Sequence, residues 1–99
     1  MAVTLIHCFD VPTGREDEFL EAWQALAAEL VGCLGSRLYR RSAEDVGIFA
    51  FIGVEEWESK DEWRAATERE QYRAKLPAMR DFIGYRGLYE LIQEEAAGA

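Results

Sequence analysis

His7 is the single histidine of this 99-residue chain, so it is the first place to look for a proton taken or given near neutral pH. It lies in the run Val3-Thr4-Leu5-Ile6-His7-Cys8-Phe9, whose length and β-branched or aromatic content predict a strand. Strand alternation puts His7 on one face with Val3, Leu5 and Phe9 and turns Cys8 to the other. A Cys–His pair is therefore disfavoured, and no Ser stands at a spacing familiar from hydrolases. Without a second histidine there is no HExxH zinc site, and no Gly-rich phosphate loop occurs. What remains is a neutral imidazole among apolar neighbours. It is either a general base or a core histidine bonded to a helix carbonyl or an aromatic hydroxyl.

Trp23 and Trp63 fall on the inner stripes of two amphipathic segments, where each either walls a planar ligand or fills the core. Arg86, at the start of the last predicted strand, is placed to stabilise an enolate or to pair with a surface acid. No motif for a metal, a nucleotide or a flavin accompanies these residues, and no cofactor is expected.

The composition narrows the partners. Eleven Lys and Arg against 19 Asp and Glu give a net charge of −8, which disfavours nucleic acid because phosphate binding rests on basic side chains. Hydrophobic residues make up 49% of the chain, enough for one real core and against disorder. No apolar run is long enough to span a bilayer, and no basic N-terminal segment leads into a signal-like stretch. Two cysteines, Cys8 and Cys33, make no disulfide scaffold. A reduced, cytoplasmic, single-domain protein is expected over residues 1–99, with an ordered core of about 3–93.

The elements that would hold the site follow in order. After the first strand comes a turn at Asp10–Gly14, then a helix from about Arg15 to Val31. Phe19, Leu20, Trp23, Leu26 and Leu30 gather on its inner face; Thr13 and Glu16 have capping-box spacing, and Gly32 is the expected stop. Leu34–Ser42 and Gly47–Trp57 read as strands. Ser59 and Glu62 form a capping box opening a second helix, which Tyr72, Leu76 and Met79 continue to a break near Pro77. Tyr85–Gln93 is the last strand. The order β-α-β-β-α-β predicts an α+β, ferredoxin-like fold: a four-stranded antiparallel sheet with two helices on one face. In the third strand Phe49 and Phe51 share one face, while Ile48, Ala50, Ile52 and Val54 share the other, so both faces of the sheet are apolar. The face without helices calls for a second copy of the chain, packed sheet to sheet.

Several segments in register resemble one family. They are Val11-Pro12-Thr13-Gly14-Arg15, Gly32-Cys33-Leu34-Gly35 before Leu38-Tyr39-Arg40, Val54-Glu55-Glu56-Trp57-Glu58-Ser59, Lys60-Asp61-Glu62-Trp63 and Gln71-Tyr72-Arg73. From about Val3 to Leu91 the chain resembles the antibiotic biosynthesis monooxygenase (ABM) family of dimeric α+β barrels. The resemblance implies a homodimer with a cavity between sheet and helices in each subunit. It also makes Tyr72 a cavity residue whose hydroxyl could donate to substrate.

In the haem-degrading branch an Asn, a Trp and a His are wanted where this chain has His7, Ala66 and Leu76, so haem degradation is disfavoured. The cofactor-free oxygenases need only an apolar pocket, a base and donors for an oxyanion. The expected function is a small cofactor-independent monooxygenase acting with O2 on an aromatic phenol, quinol or anthrone. His7 and Tyr72 are its catalytic candidates. Trp23, Trp63, Phe51, Leu76 and Arg86 are its substrate-binding candidates. A non-catalytic binding or accessory protein, or a polyketide cyclase or isomerase, would use the same pocket.

Overall fold

A computed structural model describes residues 1–98. The chain runs β1 (Val3–Phe9), α1 (Glu16–Ala27), β2 (Gly35–Arg40), β3 (Phe51–Trp57), α2 (Lys60–Thr67), α3 (Glu70–Arg73), a 3-10 helix (Leu76–Phe82) and β4 (Ile83–Tyr89). Among the described residues four strands make one sheet in the order β2-β3-β1-β4, and every pairing is antiparallel. This is the ferredoxin-like α+β arrangement expected from the sequence. No described helix is long and apolar enough to cross a membrane.

Alternation in β1 decides the core. Val3, Leu5, His7 and Phe9 are buried, while Thr4, Ile6 and Cys8 are half-buried on the opposite face. Phe19 of α1 is wholly buried and sits at the centre of an aromatic group. Its ring lies 4.9 Å from Phe9, 4.8 Å from Phe51 and 5.5 Å from Phe82. A second cluster joins Val3, Trp57 and Ala66.

Several boundaries differ from expectation. The strand foreseen from Gly47 begins at Phe51, because Gly47 closes a loop in which its amide donates to Asp45 and its carbonyl accepts from Arg41. Phe49 consequently lies off the strand alternation. It meets Tyr85 edge-on at 5.8 Å on the face of Cys8, Tyr85's register partner, and not the face of Phe51. The last strand stops at Tyr89 and not Gln93, because Tyr89 already pairs with Thr4 and β1 has almost no residues left to pair. The strand foreseen over Leu34–Ser42 is trimmed to Gly35–Arg40, with single backbone bonds from Leu34 and Arg41 outside the regular ladder.

The helices differ at their ends. The Thr13–Glu16 capping box does not form; Gly14, at φ +93°, instead donates its own amide to the Glu16 carboxylate at 2.6 Å. α1 ends at Ala27, and Gly32 (φ +91°) turns the chain five residues later. The capping box at Ser59 does form, with Ser59 Oγ accepting from the Glu62 amide at 3.1 Å. The second helical segment breaks before Pro77, at Arg69, whose backbone is extended. The Arg69 guanidinium donates to the Glu29 carbonyl beyond α1 at 3.1 Å, so a tertiary contact fixes the break. Pro77 is accommodated at the second position of the 3-10 helix, where its missing N–H costs nothing.

Gly84 sits beside the β1–β4 register shift at Cys8 and Phe9. A Cβ there would stand 2.6 Å from the Cys8 carbonyl oxygen and 3.1 Å from the Phe49 ring. Gly84→Ala is expected to destabilise the protein by about 1–3 kcal/mol. The urea midpoint measures this, and an unchanged midpoint would show that the strand pair yields.

Candidate functional site

The inner face of the sheet brings together residues distant in sequence. His7 pairs with Gly53 on β3 and with Arg86 on β4, and the next inward position of β1, Leu5, pairs with Glu55. α3 supplies Tyr72, buried at 6% exposure, from the helical layer. His7 is 8% exposed and stacks on Phe9 with ring centroids 4.1 Å apart. Gly53 opposite it leaves space into which Phe9 and Trp23 pack, for a Cβ at Gly53 would lie 3.2 Å from the Phe9 ring and 3.7 Å from the indole nitrogen.

Burial and one cation set the charges here. His7 is lowered to about 4, first by burial and then by the charge of Arg86, so its imidazole is neutral at pH 7. Burial pushes the Glu55 carboxyl up, against the Trp57 indole N–H, which donates to it at 3.1 Å, and against Arg86. Burial raises the Tyr72 hydroxyl, Glu55 raises it further, and the nearby Arg86 opposes both. Arg86 thus acts on all three groups. Among the described residues two buried side-chain atoms, His7 Nε2 and Trp63 Nε1, have no hydrogen-bond partner. Each such orphan costs roughly 1–3 kcal/mol when left unmade.

Two open cavities adjoin this cluster. One of about 340 Å³ lies against Trp63, Thr67, Tyr72, Leu76 and Arg86. A neighbouring one of about 420 Å³ shares Leu76, Arg73 and Arg86 with it. Of the residues expected from the sequence, Tyr72, Trp63, Leu76 and Arg86 border these cavities. His7, Trp23 and Phe51 do not. Phe51 packs on Phe19 in the core, and His7 adjoins the cavity wall through its register partner Arg86. Of the positions compared with haem-degrading relatives, Ala66 is buried against Trp57 and Val3, and Leu76 lines both cavities. Among the described residues no three of His, Cys, Asp and Glu gather closely enough to hold a metal ion.

Glu55 was missed from the sequence, where its segment served only as a mark of the fold. The signal was present. Counting by twos from Phe51 turns Gly53, Glu55 and Trp57 inward together.

The family model for antibiotic biosynthesis monooxygenases matches residues 2–77. A structure from Shewanella loihica PV-4, provisionally named a monooxygenase, superposes with a TM-score of 0.76 at 26% identity, covering 94% of this chain and 96% of that one. SnoaB, a cofactor-independent oxygenase from Streptomyces nogalater, gives a TM-score of 0.79 at 23% identity over 94% and 95% of the two chains. A dimeric ferredoxin-like protein of unknown function from Thermobifida fusca YX gives 0.69 at 18% identity, over 89% and 87%. The last two likenesses speak for the fold. No curated protein matches the sequence.

Proposed function

The chain belongs to the antibiotic biosynthesis monooxygenase family, and from that premise we propose a cofactor-independent oxygenase that converts a planar phenol, quinol or anthrone to a quinone. Family membership supports a small monooxygenase-type function. The observation that carries the finer reading is the position of Arg86. It is a cation on the wall of an aromatic-sided cavity, and its charge reaches Tyr72, Glu55 and His7.

Triplet oxygen reacts slowly with closed-shell molecules unless they give up an electron readily, and a deprotonated phenol or anthrone does. In this proposal Arg86 and the Tyr72 hydroxyl hold the oxyanion. His7, which adjoins the cavity through its register partner Arg86 and does not itself line it, is the proposed proton acceptor, and Trp63 and Leu76 flank the ring. The low pKa of His7 suits this role only when substrate is bound, because the new anion offsets Arg86 and favours the imidazolium. The anion passes one electron to O2, and the two radicals combine at carbon to give a hydroperoxide once protonated. Loss of water then leaves the quinone carbonyl. For a phenol or an anthrone one O2 is consumed, with one oxygen atom in the quinone and the other in water; a quinol, which already holds both oxygens, would instead lose two electrons and two protons to O2 and release hydrogen peroxide.

Oxygen uptake with dithranol or a naphthoquinol tests this. Uptake matching quinone formation and well above the uncatalysed rate is expected. Uptake at the uncatalysed rate for every quinol and anthrone would leave a binding protein as the better assignment.

The face of the sheet away from the helices supports a homodimer as part of the same proposal. Tyr39, Tyr85 and Tyr89 are exposed, next to half-buried Ile6, Cys8, Ile52 and Val54. An apolar face of this kind is what a second sheet would cover. Light scattering at micromolar concentration should return about twice 11.3 kDa; a monomer mass throughout a dilution series rules the dimer out.

A further inference from the structure

The protein is acidic overall, with a net charge of −8, yet the larger cavity has the opposite sign. Arg73, Arg80 and Arg86 line it with Leu76 and Pro77, and no carboxylate does. The three arginines come from α3, the 3-10 helix and β4, so the fold gathers them from separate elements. Among the described residues none of the three joins a salt bridge, whereas nearby Arg15 is paired with both Glu18 and Asp81. Like charges converging on an apolar floor repel one another; Glu55 beside Arg86 and Glu68 in the adjoining cavity offset that only in part, and neither lines this space. A guanidinium presents a planar fork that matches a carboxylate with two parallel hydrogen bonds. Because Arg73, Leu76 and Arg86 also line the cavity beside Tyr72 and Trp63, one molecule can reach both spaces.

We propose that the ligand is an aromatic carboxylate, with its phenolic ring between Trp63 and Tyr72 and its carboxylate held by Arg73 and Arg80. This rests on the oxygenase reading of the same site and adds a substrate class to it. Arg86, shared by the two cavities, is left to the oxyanion.

Two quinones differing by one group make the test: danthron, a dihydroxyanthraquinone, and rhein, which is danthron with an added carboxylate. Binding is read by quenching of tryptophan fluorescence, with no turnover needed. Rhein is expected to bind at least about tenfold more tightly at low salt, the worth of a charged hydrogen-bonded pair, and the preference should shrink as salt rises. Arg80→Ala and Arg73→Ala should each reduce the rhein-to-danthron ratio, and Arg80→Lys should retain part of it. Equal affinity for the two quinones overturns the proposal. So does a rhein preference that survives the double substitution, or displacement of rhein by an equal concentration of inorganic phosphate. A rhein preference without oxygen uptake from any anthrone supports the carboxylate site and removes the oxygenase. Oxygen uptake with equal affinities removes the carboxylate site alone.

Discussion

Arg86→Ala is expected to lower dithranol turnover by about 10²–10³-fold, the usual loss when a donor to a developing oxyanion is removed. Its side chain is exposed, so the variant should keep its fold and its melting transition. The loss has a second signature. Arg86 holds His7 down, so without it the imidazolium is favoured and the His7 pKa rises from about 4 toward its ordinary value, while burial still opposes it. A base works only when deprotonated, so the acid limb of the pH–rate profile should move to higher pH in Arg86→Ala. Arg86→Lys keeps the charge and loses the fork. It should restore the position of the acid limb and only part of the rate. A folded Arg86→Ala variant with near-native turnover sinks the assignment.

The sheet was legible because its signals are local. Strand residues alternate, turns carry Gly and Pro, and the order of elements admits one simple antiparallel fold. Boundaries failed where a tertiary contact decided them. Arg69 reaching Glu29 breaks the second helical segment before Pro77 can. The end of β1 cuts β4 short at Tyr89, and no pattern inside β4 announces that. Phe49 went astray for a related reason: alternation says nothing once the chain leaves the strand.

The site was legible in part. His7 could be placed on the inner face by counting along one strand, and Tyr72 by the family resemblance. What joins them is cross-strand register. His7 meets Arg86 only because β1 and β4 pair as they do, and a single sequence does not display that register. Glu55 shows the opposite failure. Its orientation was readable by alternation, but an acid in an acid-rich segment looks like a solvated one until its neighbours are known. The arginines of the second cavity are alike in this. No motif in the sequence singles out Arg73 and Arg80 together, and three elements must be in place before they face one space with Arg86.

His7→Ala should cost about 10²–10⁴-fold in turnover if His7 takes the substrate proton, the range for a positioned general base. His7→Gln keeps hydrogen bonding and loses the base, so its rate should fall nearly as far. Because His7 titrates at about 4, the free enzyme's kcat/KM should show no His7 limb between pH 5 and 9 and should fall in acid with a midpoint near 4. A structural role makes a different prediction, and both can be read on one set of samples. The folded pKa lies below the unfolded 6.5, so the unfolded chain binds the extra proton between those values. Stability from this group is therefore complete above pH 6.5 and lost as pH falls through 4. The loss is up to roughly 3 kcal/mol for the whole shift. His7→Gln should remove that part of the pH dependence of the urea midpoint. If the midpoint behaves so while His7→Ala and His7→Gln stay folded and oxidise dithranol at the native rate, His7 is a buried core histidine and the proton must leave by another group. Glu55, pushed up by burial, close enough to Arg86 to feel its charge and to Tyr72 to raise its hydroxyl, is then the side chain to replace next.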